Sequence, residues 1–139
     1  MQLTRHTDFA LRALLFMASM PDGITTIGEI AETFSIPKSH LMKVISTLVS
    51  SRYVNSTRGP HGGISLAKPA NQITLKEVVV LMEKTLAPFD CVGQSCLILN
   101  SCQLNATFYS AQEKYLDYLA DFTIADMLNN QVVSTIHPR

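Results

Sequence analysis

The stretch from Thr26 to Gly63 constrains the fold of this 139-residue chain more than any other. Thr26-Ile-Gly-Glu29 is a capping box: the threonine hydroxyl accepts from the amide three residues on, and the glutamate reaches back to the cap. It predicts a helix through Ile30 and Ala31 to about Phe34. Ser35-Ile36-Pro37 leaves room only for a tight turn, and proline is tolerated where a helix begins, because its missing N–H has no helical partner there. A further helix is expected over about 38–50, with Leu41, Val44, Ile45 and Leu48 as its inward stripe. Two short β-leaning runs, Tyr53–Thr57 and Ile64–Ala67, then flank Arg58-Gly-Pro-His-Gly-Gly63 and read as a hairpin with a glycine-rich tip. A helix–turn–helix followed by a hairpin sets the fold class: mainly α, a winged helix-turn-helix DNA-binding domain with a two-stranded wing.

The remaining helices follow from the same signals. Leu11, Leu14, Leu15 and Ala18 place a first helix over about 7–20, ended by Pro21-Asp22-Gly23. A second capping box, Thr74-Leu-Lys-Glu77, opens a fourth helix to about Lys84. After Pro88, the residues Leu104, Phe108, Ala111, Tyr115, Tyr118 and Phe122 recur at steps of three or four, so a long last helix is expected. A winged helix already has its own core, and DNA readers commonly pair to match two half-sites, so this stripe is assigned to a homodimer interface. A short helix over Thr123–Leu128 and a flexible polar tail complete the reading. The divisions are a DNA-binding domain over 1–85, a cysteine loop over 86–103, the dimerisation and short terminal helices over 104–128, and the tail over 129–139.

The expected partner is double-stranded operator DNA. The outward face of the third helix carries Ser39, Lys43, Ser46, Thr47 and Ser50, with Lys38 and His40 at its start. Hydroxyls bond phosphates and base edges, and cations displace condensed counterions. A merely solvated face would more often hold Glu and Gln. At the hairpin tip Arg58 and His61 supply cationic or polar contacts, and Gly59, Gly62 and Gly63 permit close backbone approach to a phosphate or a minor groove. The chain as a whole is neutral, yet residues 1–70 hold seven basic and four acidic side chains and residues 71–139 hold four and seven. The positive half is the half with the reading elements.

The three cysteines, Cys91, Cys96 and Cys102, fall within twelve residues. An odd number cannot close completely into disulfides, and a set this local can converge its sulfurs. Thiolates suit iron–sulfur clusters and zinc, although the spacing is looser than a zinc knuckle and a fourth ligand is missing. Buried cysteines acting as small hydrophobes would have no reason to cluster. No cleavable leader pattern opens the chain, and no apolar run approaches the ~18 residues of a membrane span, so a reducing cytoplasmic location is expected.

In this order of elements, the chain resembles the bacterial iron–sulfur winged-helix repressors, and among them the nitric-oxide-sensing ones. The resemblance rests on Thr7-Asp8-Phe9-Ala10-Leu11-Arg12-Ala13-Leu14, on the wing with Ile64-Ser65-Leu66-Ala67-Lys68-Pro69, and on the cysteine trio. It implies a cytoplasmic homodimeric repressor whose cluster is held by Cys91, Cys96 and Cys102, with Asp8 reaching it from the partner subunit. The resemblance admits both four-iron and two-iron clusters; three thiolates and a carboxylate would suit a 4Fe-4S cluster with one distinctive iron, which is preferred here over 2Fe-2S. Arg12, one turn beyond Asp8, is placed to orient that carboxylate. Attack of nitric oxide on the cluster would release operator DNA and derepress nitric oxide detoxification genes. The cluster-assembly regulators of the same family use a histidine three residues after the last cysteine. Here that residue is Asn105.

The alternatives are a regulator of cluster status or thiol redox state, and a zinc-stabilised DNA-binding assembly module. An enzyme is not expected. His6, His40, His61 and His137 are scattered, and no nucleophile accompanies the glycine-rich loop.

Overall fold

The computed structural model describes residues 2–91 and 93–138. In chain order it contains α1 (Arg5–Ser19), α2 (Ile27–Thr33), α3 (Lys38–Ser50), β1 (Val54–Thr57), β2 (Gly63–Leu66), α4 (Leu75–Met82), α5 (Gln103–Ala120) and α6 (Asn130–Ile136). This is the mainly helical winged-helix architecture expected from the sequence.

The helix–turn–helix forms where local signals and packing agree. Thr26 and Glu29 close the capping box, with the Glu29 amide 3.2 Å from the Thr26 hydroxyl and the Thr26 amide 2.8 Å from the Glu29 carboxylate. Ser35 takes a left-handed φ of 52°, and the Ile36 amide bonds the Ala31 carbonyl at 2.9 Å, so the chain reverses within a few residues. Pro37 is the N-cap of α3. The expected stripe of Leu41, Val44, Ile45 and Leu48 is buried, joining Leu14 and Met17 of α1 in the core.

The wing pairs β1 with β2 antiparallel, Val54 opposite Leu66 and Thr57 opposite Gly63. Thr25 and Ile64 exchange backbone hydrogen bonds of 3.0 and 2.7 Å, which stitches the wing to the residues before α2. A Cβ on Gly63 would lie 2.5 Å from the Thr25 carbonyl oxygen. This glycine therefore serves the hairpin's own packing, and the wing could not sit there with any larger residue.

Helix α1 begins at Arg5, two residues earlier than expected, because Thr4 acts as its N-cap. Helix α4 ends at Met82, and Glu83 turns out of it in an extended conformation. Helix α5 packs along α4, joined by a Lys76–Asp117 ion pair of 2.9 Å, yet none of its residues is buried. Leu104, Phe108, Tyr109 and Tyr118 stand exposed along it.

Two C-terminal expectations are corrected. The helix expected over 123–128 is only a single 3-10 turn, Ala125–Met127, held by Thr123 and Asp126. The tail expected to be flexible instead forms α6, capped by the Asn129 side chain at 2.8 Å from the Val132 amide. Val132 and Ile136 pack on the core, and the His137 ring lies 2.8 Å from the Ser19 hydroxyl and edge-on to Phe16. Val132 and Ile136 lie one turn apart, too short an apolar pattern to mark a helix along the chain. Among the described residues no helix is long and apolar enough to cross a membrane.

Candidate functional site

The outward face of α3 is built as its spacing requires. Lys38, Ser39, His40, Lys43, Ser46 and Thr47 are all exposed, because the four buried stripe residues occupy the opposite side. The hydroxyls are not equivalent, however. Thr47 donates its hydroxyl hydrogen to the Lys43 carbonyl at 3.2 Å, and Ser50 donates to Ser46 at 2.9 Å. A hydroxyl committed in this way can only accept, and a phosphate offers no donor. Thr47 also borders a cleft with Thr4, His6 and Glu83, on the side of α3 away from the wing. It belongs to the flank of the face rather than its centre.

On the other flank, Lys38 and Met42 of α3 share one groove with Ser56, Thr57 and Gly63 of the hairpin. Sequence reasoning missed Met42, because an apolar residue on a polar helix face is easily counted with the core. Its position outside the buried stripe was the available signal. At the wing tip Arg58, Gly59 and His61 are exposed. Gly59 has a φ of 113° with open space around its Cα, so it is the tip glycine free for close approach to another molecule. A side chain on Gly62 would collide with the Thr57 carbonyl, so that glycine is needed for the turn itself.

The wing base is tied to α4. Glu77 accepts from Lys68 and from the Tyr53 hydroxyl, both at 3.3 Å, and the Lys68 ammonium lies 4.3 Å from the Tyr53 ring centroid. Burial acts to raise the Glu77 pKa, but hydrogen bonds from Thr74 and the bond and charge of Lys68 outweigh it and hold the carboxyl below its ordinary value. Burial, and then the Glu77 charge, push the Tyr53 phenol up. The far end of α4 is tied to α1. Glu83 accepts from the Thr4 amide at 2.8 Å and from the Thr7 hydroxyl at 2.5 Å, and these bonds overcome burial to lower its pKa.

The loop between α4 and α5 carries the cysteines. Backbone turns run through it, Gln94 to Asp90, Cys96 to Cys91 and Leu99 to Cys96. All three cysteines are free thiols of intermediate exposure. The Asn105 amide, which the sequence marked only as a missing ligand, donates to the Cys91 sulfur at 3.2 Å. Cys91 and Asn105 line a cleft of about 540 Å³ with Asp90, Phe89 and Tyr109. Among the described residues no three His, Cys, Asp or Glu side chains gather closely enough to hold a metal ion. The spacing alone does not, among the described residues, draw the three sulfurs into a ready-made metal site. The physical reason is that ligating thiols have no attraction for one another until a cation draws them together. Asp8 is exposed on α1 and accepts from Arg12 Nε at 2.8 Å, which brings together the pair expected from sequence.

These features sit on a fold with known relatives. A family model described as Rrf2, iron-dependent transcriptional regulator, matches residues 3–130. The chain belongs to the Rrf2 family. It is a transcriptional regulator and not an enzyme. Among solved Rrf2-like structures, CymR of B. subtilis, described as its global cysteine regulator, superposes with a TM-score of 0.76 at 19% identity, covering 91% of this chain and 95% of that one. IscR of T. potens gives 0.71 at 21%, covering 91% and 85%. The oxidized form of Staphylococcus aureus CymR gives 0.69 at 18%, covering 94% and 99%. At these identities the likeness is one of fold.

Proposed function

We propose that this Rrf2 regulator is an iron–sulfur-dependent homodimeric repressor of the nitric-oxide-sensing kind, similar to NsrR. The observation that carries the reading is the loop of three free, partly exposed cysteines placed between the DNA-reading domain and the unburied helix α5. The donor set fits in its chemistry. Cys91, Cys96 and Cys102 would hold the cluster as thiolates, and Asp8 of the partner subunit would supply a carboxylate. Asn105 carries no imidazole, which removes the histidine ligand of the cluster-assembly regulators. When bound, a 4Fe-4S cluster supplies iron atoms that react with nitric oxide.

The protein's part is to turn that event into a shift of its reading helices. Asp8 rides on α1, α1 packs against α3, and Glu83 joins the start of α1 to the segment entering the cysteine loop. A partner loop that holds Asp8 fixes α1, and with it α3, relative to the second copy. Released, the carboxylate returns to Arg12, the arrangement in the single chain. Half-sites sit about one helical turn apart, so a small change in helix spacing spoils two-site docking. A coupling of roughly 1–3 kcal/mol changes occupancy by about 5–150-fold. Lys38, Ser39, His40, Lys43 and Ser46 would read the major groove, and Arg58, Gly59 and His61 would reach the flanking backbone or minor groove.

A second reading, a thiol-redox regulator without metal, is favoured by one observation: all three cysteines are free, partly exposed thiols. Native mass spectrometry on protein purified without oxygen separates the two. A dimer carrying four irons and four sulfides per subunit is the expected result. A two-iron mass would keep the sensor and reopen the identity of the fourth ligand. A zinc mass, or a bare dimer that stays bare after reconstitution with iron and sulfide, would overturn the nitric oxide reading.

A further inference from the structure

Among the exposed residues of α3, Met42 alone is a large apolar side chain, with 53% of its surface open to solvent. The stripe of Leu41, Val44, Ile45 and Leu48 is complete without it, so it has no core role. It lies one turn after Lys38 and one turn before Ser46, on the side of the helix that faces the wing. There it lines the groove with Lys38, Ser56 and Thr57. A cation and two hydroxyls along the groove walls suit a phosphodiester strand, and the bases of that strand would then turn toward Met42.

We infer that Met42 reads a thymine in the operator by packing its thioether against the base's C5 methyl. The inference rests on the operator-binding reading above. The thymine methyl is the apolar group that the major groove presents, and it is what distinguishes that base from cytosine without a hydrogen bond. Methionine suits the task because it is flexible and polarizable and offers no donor to compete with Ser39 or Lys43. The hydroxyls and cations beside it fix position on the duplex, and packing against the methyl adds sequence preference.

The test uses full-length protein reconstituted with iron and sulfide, presented with a pool of random-sequence DNA duplexes. In the enriched site each thymine is then replaced by uracil, which removes only the methyl group. The wild type is expected to lose about fourfold in affinity per half-site at one thymine position, the equivalent of roughly 0.8 kcal/mol for one buried methyl. Met42→Ala should bind the thymine and uracil sites equally. Met42→Leu, which keeps apolar bulk, should retain the penalty. A wild type indifferent to every uracil, or a penalty undiminished in Met42→Ala, would overturn the role of Met42 and leave operator binding standing. A pool in which no sequence is enriched would overturn both readings together.

Discussion

The Glu83 carboxylate accepts the hydroxyl hydrogen of Thr7 across 76 residues of chain, and so closes the end of α4 over the first turn of α1. Thr7 is fully buried, and its neighbouring acceptor, the Thr4 hydroxyl, lies 3.2 Å away. Removing the carboxylate leaves Thr7 with that weaker partner and frees the Thr4 amide. Glu83→Ala is expected to lower stability by about 1 kcal/mol, near the lower end for an orphaned buried group. Glu83→Gln, which keeps an acceptor, should recover most of the loss. Urea midpoints at neutral pH measure both, and identical midpoints for all three proteins would remove the latch.

Acid should release the same joints. Glu29, Glu77 and Glu83 each sit below the ordinary carboxyl value. For Glu29 the leading cause is the Thr25 hydroxyl bond, whereas for Glu77 and Glu83 hydrogen bonds overcome an opposing burial. A carboxyl whose pKa is depressed in the folded state contributes stability that is complete above its unfolded value of about 4.5 and is lost as pH falls through the folded value. Stability should therefore decline below about pH 4.5. The stability difference between wild type and Glu83→Gln should shrink over the same interval. A constant difference down to the acid limit would contradict the assignment.

Lys43→Ala and Arg58→Ala should each weaken operator binding while leaving the fold intact, since both side chains are exposed. Removing one cation from the phosphate backbone should flatten the slope of log affinity against log salt by about one. Unchanged affinity in both variants would show that the reading face lies elsewhere.

Helix α5 offers a direct test of pairing. Leu104 and Tyr118 are 65% and 64% exposed and support no core packing in the single chain. Leu104→Glu with Tyr118→Glu should give a folded monomer in sedimentation, with operator affinity reduced to that of one half-site. A dimer that survives both charges would move the interface off this stripe.

Asp8→Ala removes the Arg12 ion pair, an exposed i, i+4 interaction worth only about 0.3–0.5 kcal/mol, so thermal stability should barely change. The course of reaction with nitric oxide, followed by cluster absorbance, should change clearly. An identical time course in the variant would exclude Asp8 from the cluster's surroundings.

Local chemistry made most of the fold legible. The two capping boxes at Thr26 and Thr74, the stripe in α3 and the glycine-rich hairpin are signals that act within a few residues, and each appears where its spacing places it. The exposed cations and hydroxyls of α3 follow from the same periodicity. What neighbours in sequence could not specify was decided by distant partners. Glu83 ends α4 early because Thr4 and Thr7 need an acceptor, and α6 forms because Phe16, Ser19 and the core receive His137 and Ile136. Gly63 is required by the carbonyl of Thr25, a residue from another element. Sequence spacing brought three cysteines into one loop, but spacing carries no force that gathers sulfurs. Periodicity and caps act through short-range geometry and so can be read along the chain. Long-range hydrogen bonds and docking depend on which surfaces meet, and only the tertiary structure decides that.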